Sequence, residues 1–186
     1  VDCMRWLDFS RGLAIADSAL RVCAKDQDWL LACCHAVDRR TYGLRQAKLV
    51  AAYADARAES GGESIARAAM IEEGFSLPML QVEIPDPLSS TPHRVDFLWT
   101  LADGRWVLGE FDGREKRMTR GKDAVDVLAD ERLRESHLTL GGSVVRFSWQ
   151  DMRNRRRLAH LLTAYGIPHE REPRRFDLRP LDCRKI

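Results

Sequence analysis

The sequence predicts an α/β protein, with a mixed sheet flanked by helices and preceded by a small helical segment. Three observations carry this prediction. Apolar residues recur at helical spacing through residues 1–58. Short alternating strands occupy residues 80–111. A last short strand lies between two further helical stretches beyond residue 113. The order from residue 59 is therefore α-β-β-β-α-β, with one more helix behind it.

The N-terminal segment, residues 1–58, is dominated by Ala, Leu and Arg. Asp17 and Asp26 are the expected helix starts. The chain does not begin with Met, so we interpret this segment as the end of a longer region. Its helices either pack against the sheet or dock a partner protein, and the sequence leaves both open.

The second region, residues 59–166, begins with a helix over 63–73 that Ser60 or Gly62 caps and Gly74 ends. Strands are predicted over 80–84, 94–101, 105–111 and 143–148. Helices are predicted over 122–140 and 150–165.

The C-terminal tail, residues 167–186, is expected to be basic and irregular. From Asp151 to Ile186 the chain has ten Lys or Arg and five Asp or Glu, whereas the whole chain carries only +2. A basic end on an acidic body favours phosphate contacts, and a solvated helix face with a charged tail explains it equally well.

Composition limits the protein class. The chain has 186 residues, 45% of them hydrophobic and 31% charged, which indicates a folded globular protein. It has neither an apolar run long enough for a membrane span nor a basic-then-apolar leader, so we expect a cytoplasmic protein without membrane contact. Five cysteines without paired spacing indicate reduced thiols. The oligomeric state is not indicated.

The stretch WVLGEFDG, residues 106–113, holds two carboxylates in an otherwise apolar strand. A two-residue turn before it would put Asp96 and Glu110 on opposite faces of the sheet. A three-residue turn with Gly104 in the left-handed conformation would instead place Asp96 opposite Glu110, with Asp112 following on the same face. We favour the second, because that turn prefers Gly in its third position.

Converging carboxylates repel each other, and a divalent cation resolves the repulsion. The sequence therefore predicts a Mg²⁺ or Mn²⁺ site formed by Asp96, Glu110 and Asp112. Lys116 is the nearest cation that could hold a phosphate and orient a water, and Arg117 and Arg120 lie beside it. The alternative is that the acids line a solvated face of the sheet.

This pattern resembles the PD-(D/E)XK nuclease superfamily, in which an Asp on one strand and a Glu-x-Lys on the next hold Mg²⁺. It resembles more closely the endonuclease-like domain related to the very-short-patch-repair nucleases, which occurs at the C-terminus of actinobacterial proteins described as abortive-infection antitoxin-like. The matching residues run in order over about residues 60–150. They are Gly62-Glu63-Ser64-x-x-Arg67, Pro78-x-x-Gln81-Val82, Arg94-Val95-Asp96-Phe97, Glu110-Phe111-Asp112-Gly113-x-x-Lys116, Glu131-Arg132-x-Arg134-Glu135 and Val144-Val145-Arg146-Phe147.

The resemblance implies a restriction-endonuclease-like fold and Mg²⁺-dependent hydrolysis of DNA phosphodiesters. Asp96 and Glu110 would be metal ligands, and Asp112 stands where the superfamily has Lys, so Lys116 would supply the positive charge. Glu63 either assists as a base or second-metal ligand or only stabilises its helix.

Two arginines also match the family pattern. Arg134 either orients phosphate or forms a surface pair with Glu131. Arg146 either meets phosphate or pairs with an acid of the cluster. The resemblance also allows a catalytically silent module of a DNA-binding regulator, with a winged-helix region upstream.

Overall fold

The computed structural model describes residues 1–85, 92–113 and 142–176. These residues form a mixed α/β protein that divides into two compact units. The first unit contains Val1–Glu72 and Pro173–Ile186, and the second contains Glu73–Glu172. The sequence pattern had placed a boundary near residue 58. The structural boundary is later because Ala68 and Ile71 belong to the same buried cluster as the preceding helices.

The first unit is helical. Its helices are α1 (Asp2–Trp6), α2 (Phe9–Val22), α3 (Gln27–His35), α4 (Leu44–Ala51) and α5 (Gly61–Glu73), the last residue of which belongs to the second unit. The core contains Phe9, Leu13, Leu20 and Val50, each at most 1% exposed, and Phe176 joins it from the C-terminal side.

Helix starts in the first unit follow local capping chemistry. Asp26 caps α3 by accepting a hydrogen bond from the Trp29 N–H at 2.9 Å, as the sequence predicts. The expectation that Asp17 starts a helix is wrong. Asp8 caps α2 instead, and Asp17 lies buried within this helix. Buried hydrogen-bonding partners satisfy the Asp17 carboxylate there, so it is not required as a cap.

The second unit contains a four-stranded sheet of β1 (Met79–Ile84), β2 (His93–Thr100), β3 (Trp106–Asp112) and β4 (Ser143–Ser148). The strand order is β1-β2-β3-β4. The first two strand pairs are antiparallel and the β3–β4 pair is parallel. A parallel pair requires a long crossover, which the chain between residues 113 and 142 provides.

Two short helices follow the sheet, α6 (Trp149–Arg153) and α7 (Arg155–Ala164). The prediction of one helix over 150–165 is wrong at Asn154, which is extended at φ −113° and ψ 91°. Its side chain accepts a hydrogen bond from the Arg157 N–H at 3.2 Å and so begins a second helix.

Gly74 ends α5 with φ +80°, as the sequence predicts. The chain after α7 returns beside it, since the Glu170 N–H donates to the Gly74 carbonyl at 2.9 Å. In the described part of the chain, no helix is both long and apolar enough to cross a membrane. The predicted helix over 122–140 and residues 177–186 of the tail lie outside the described residues.

Candidate functional site

The turn between β2 and β3 determines which side chains of the two strands face each other. The Leu101 N–H donates to the Arg105 carbonyl at 2.8 Å, and the Gly104 N–H donates to the Leu101 carbonyl at 2.9 Å. Gly104 has φ +83°, the left-handed conformation required at the third turn position. The predicted three-residue turn is confirmed.

Asp96 consequently lies opposite Glu110. The paired positions run from Thr100–Trp106 to Phe97–Gly109, and the next position along each strand joins Asp96 with Glu110. Both residues are partly buried. Directly opposed side chains on antiparallel strands have Cβ atoms about 4.5–5.5 Å apart, so the two carboxylates are close neighbours.

Asp96 also ends the β2–β3 ladder. Its Oδ2 accepts a hydrogen bond from the Phe111 N–H at 2.9 Å. In a continued antiparallel ladder that N–H would donate to the Val95 carbonyl. The Asp96 carboxylate therefore accepts the hydrogen bond that a backbone carbonyl would accept in a longer ladder. This hydrogen bond fixes the carboxylate at the end of the strand.

Gln81 on β1 extends the site. It lies between the Leu80–Phe97 and Val82–Val95 pairs, opposite Asp96, and its Nε2 donates to Asp96 Oδ1 at 3.4 Å. Its φ of +53° is rare for a residue other than Gly and costs about 1–2 kcal/mol. Gln81 belongs to the family-like motif Pro78-x-x-Gln81-Val82, but the sequence assigns it no role in the site, because a proline-rich segment between the strands hides their register.

Arg146 on β4 completes the site. Glu110 and Arg146 are paired positions of the parallel strands, and Arg146 Nε donates to Glu110 Oε2 at 3.2 Å. The Glu110 side chain is 15% exposed and that of Arg146 33% exposed. Of the two alternatives for Arg146, this contact is the pairing with an acid of the cluster.

These four side chains form what we call the transverse row, one residue on each strand across the sheet: Gln81, Asp96, Glu110 and Arg146. The row carries two carboxylates, one guanidinium and one amide. Its formal charge of −1 leaves it able to accept a cation.

Behind the row the sheet is aromatic. Gly109 has no side chain, and a Cβ at this position would lie 2.8 Å from Trp99, 2.9 Å from Phe97 and 3.1 Å from Phe147. Phe97 and Phe147 are at most 1% exposed. The glycine beside Glu110 thus lets three aromatic rings close over the opposite face of the strand, which fixes the backbone that carries Glu110.

Asp112 follows Glu110 on β3, as the sequence predicts, at the exposed end of the strand. It lies two residues beyond Glu110, is exposed, and pairs in register with Ser148. Across the ranges 1–85, 92–113 and 142–176, no three or more His, Cys, Asp or Glu side chains are grouped so that they could hold a metal ion. The expected three-carboxylate group is therefore not formed there, because Asp112 is about 7 Å further along the strand. A cation held by Asp96 and Glu110 stays a prediction.

Glu63 lies in the first unit, in the first turn of α5. The Glu63 N–H donates to Ser60 Oγ at 3.2 Å, and Glu63 Oε2 accepts a hydrogen bond from the Glu59 N–H at 2.9 Å. This reciprocal arrangement caps the helix. It supports the structural alternative for Glu63, and a catalytic role stays a prediction. Four further predicted residues lie outside the described residues, namely Lys116, Arg117, Arg120 and Arg134.

The first unit contains a separate buried ion pair, which the sequence analysis did not identify. Asp17 on α2 and Arg67 on α5 are 0% and 5% exposed, and Arg67 Nη1 lies 2.9 Å from Asp17 Oδ2. The Asp55 N–H donates to Asp17 Oδ1 at 2.8 Å, and Arg67 Nη2 donates to the Tyr53 carbonyl. The pair therefore ties the α4–α5 connection to two helices.

Burial raises the pKa of Asp17 from 3.8 to about 6, because removal from water disfavours the charged carboxylate. The Arg67 guanidinium and the Asp55 N–H oppose this shift without cancelling it. The cluster has a structural function in holding the connection.

Two proteins of Mycobacterium tuberculosis are similar to this chain: Uncharacterized protein MT2308 of strain CDC 1551 / Oshkosh and Uncharacterized protein Rv2248 of strain ATCC 25618 / H37Rv. Each is 39% identical over 101 residues, which is 53% of this chain and 36% of the relative. The match thus spans about a third of the length of these curated relatives. No protein-family model and no solved structure matches the chain.

Proposed function

We propose that the second unit binds a divalent cation at the transverse row and hydrolyses phosphodiester bonds in DNA. The observation that carries the proposal is the opposition of Asp96 and Glu110 on neighbouring strands. Like charges directly opposite each other destabilise a sheet, and Arg146 neutralises only one of the two carboxylates, so the row favours a further cation.

The donor chemistry suits Mg²⁺ or Mn²⁺. Carboxylate oxygens are the ligands that these hard cations prefer, and Mg²⁺ keeps several waters, so two protein ligands suffice. The Asp96 carboxylate accepts hydrogen bonds from the Phe111 N–H and from Gln81 Nε2, which orient its two oxygens. Asp96 and Glu110 would hold the ion directly, and exposed Asp112 would act through water. The bound ion would stabilise negative charge developing on the phosphate and make a water more acidic.

Strain and topology add support. Non-glycine residues in the left-handed region are concentrated at functional sites, and Gln81 is such a residue within the row. The four-stranded mixed sheet with a parallel β3–β4 pair is compatible with the α/β fold that the family resemblance implies. Lys116 remains the proposed phosphate-holding cation, and Arg117, Arg120 and Arg134 the proposed backbone contacts.

A second candidate function is a catalytically silent, nuclease-like module of a DNA-binding regulator. A specific observation favours it: Glu110 is paired with Arg146, and Asp96 accepts a backbone N–H. Both carboxylates thus have structural partners without a metal. Asp112, in addition, stands where the superfamily has Lys.

A calorimetric Mn²⁺ titration distinguishes the two functions. We expect the wild type to bind Mn²⁺ and Asp96→Asn to lose at least tenfold in affinity, since Asn retains the hydrogen-bonding shape without the charge. The matched control is Asp103→Asn, which removes a carboxylate from the exposed hairpin turn of the same sheet. Cleavage of single- and double-stranded DNA with Mg²⁺ then tests hydrolysis.

The titration has two opposing outcomes. Absence of Mn²⁺ binding in both the wild type and the Arg146 variants described below would reject the metal-dependent nuclease and favour the silent module. Binding without DNA cleavage would retain the metal site and reject catalysis.

A further inference from the structure

We infer that Arg146 is a latch, which pairs with Glu110 when no cation is bound and turns to a substrate phosphate when a divalent cation takes its place. This inference rests on the proposed function. It deepens that function by assigning a role in both metal binding and phosphate recognition to one side chain.

The geometry supports an exchange of partners. Arg146 and Glu110 occupy paired positions, and the Nε–Oε2 distance is 3.2 Å. The Arg146 backbone is fixed, because its strand neighbours Val145 and Phe147 are 0% and 1% exposed. Its side chain, in contrast, is 33% exposed, about twice the 15% exposure of the Glu110 side chain.

The charges explain why the guanidinium and the cation compete. Asp96 and Glu110 together carry two negative charges, and one guanidinium neutralises half of them. A divalent ion neutralises both, and carboxylate oxygens are the ligands that it prefers. The guanidinium and the ion both draw on the single negative charge of Glu110, so occupation by one weakens the other.

Displacement gives the arginine a second role. A guanidinium stays protonated at all accessible pH values, so Arg146 cannot leave Glu110 by losing its proton and keeps its need for an anion. Phosphate is the anion that its planar, forked donors fit best. The released side chain would remain beside the cation, where a scissile phosphate would lie.

The direct test is Mn²⁺ affinity. We expect Arg146→Met, which keeps a long side chain and removes the charge, to bind Mn²⁺ about tenfold more tightly than the wild type, the factor expected for loss of one competing charged hydrogen bond. Arg105→Met removes an exposed arginine of the same sheet and controls for net charge. The double variant Asp96→Asn/Arg146→Met should not show this increase in Mn²⁺ affinity.

The results separate the latch from the nuclease proposal. Asp96-dependent binding of equal strength in the wild type and Arg146→Met overturns the latch and leaves the metal site. Mn²⁺ binding by Arg146→Met but not by the wild type supports both the latch and the metal site. If neither protein binds Mn²⁺, both the latch and the metal site are overturned. Arg146→Lys provides a second variant, with an intermediate affinity expected, if thermal unfolding reveals that Arg146→Met does not fold.

Phosphate recognition has its own readout. Binding of a short DNA duplex is measured with and without Ca²⁺, which offers the same oxygen preference as Mg²⁺. We expect Arg146→Met to weaken DNA binding at least fivefold more with Ca²⁺ than without it, whereas the net-charge control Arg105→Met weakens it equally in the two conditions. An equal loss in both conditions would mean that Arg146 is a permanent phosphate contact, and no loss in either would mean that it contacts none; each result overturns the latch.

Discussion

Asp96 and Glu110 face each other at a non-hydrogen-bonded position of the β2–β3 pair. The Leu101–Arg105 pair at the turn is hydrogen-bonded, and bonded and non-bonded pairs alternate along antiparallel strands. Side chains are closest at non-bonded positions. Continuing the register by one position beyond Phe97–Gly109 brings the two carboxylates together at such a position, and the neighbouring strands contribute Gln81 and Arg146 to the same row.

The Asp96 carboxylate should stabilise the strand end apart from any metal. We expect Asp96→Ala to lower the free energy of unfolding by about 1–3 kcal/mol, because the Phe111 N–H loses its acceptor. Asp96→Asn keeps an acceptor oxygen and should cost clearly less. Urea denaturation followed by circular dichroism measures both. Equal costs for the two variants would mean that the hydrogen bond to Phe111 contributes little.

Gly109 should not tolerate a side chain. Gly109→Ala places a Cβ against the rings of Trp99 and Phe147 and the Cβ of Phe97, and we expect a loss of about 1–3 kcal/mol from overpacking. The matched control is Gly113→Ala, where the nearest contact is 3.5 Å from Phe111. Thermal unfolding of the two variants should differ by several degrees. Similar melting temperatures would contradict the packing described behind the row.

Glu63 and Ser60 should behave as helix caps. Ser60→Ala should destabilise the protein by about 1 kcal/mol, since the Glu63 N–H loses its acceptor. Glu63→Gln keeps an acceptor for the Glu59 N–H and should change stability less. If Glu63→Gln also leaves Mn²⁺ affinity and DNA cleavage at wild-type levels, its role is structural. A selective loss of cleavage at unchanged stability would instead establish the catalytic alternative.

Asp17 should make stability depend on pH. Its pKa is raised from 3.8 to about 6, so the folded state binds this proton more tightly than the unfolded state. The contribution of Asp17 is therefore fully present below pH 4 and is lost as pH rises through 6. Relative to Asp17→Asn, the wild type should lose up to about 3 kcal/mol between pH 4 and pH 7.

Chemical denaturation of both proteins across this range measures the difference. Asp151, whose pKa is lowered, has the same partners in both proteins, so its contribution cancels in the comparison. A difference that stays constant or grows with pH would mean that the Arg67 ion pair outweighs burial.

The sequence by itself determined the features that a few neighbouring residues encode. Ala102-Asp103-Gly104 specifies its turn through one glycine, and the turn then determines the Asp96–Glu110 register. Asp26 and Gly74 likewise mark helix ends through their own hydrogen bonds or backbone conformation. In each case the energetic preference is local, so the sequence pattern is sufficient.

Only the tertiary structure decided which distant residues meet. Arg146 joins Glu110 through a parallel register across 36 positions, and Arg67 reaches Asp17 across 50. Gln81 enters the row through a strand pairing that no tight turn sets. Asp112, which strand alternation places on the face of Glu110, proves to be exposed at the strand end. These pairings depend on the packing of whole helices and strands against each other. The contacts within any one short segment contribute too little free energy to select one long-range register over another.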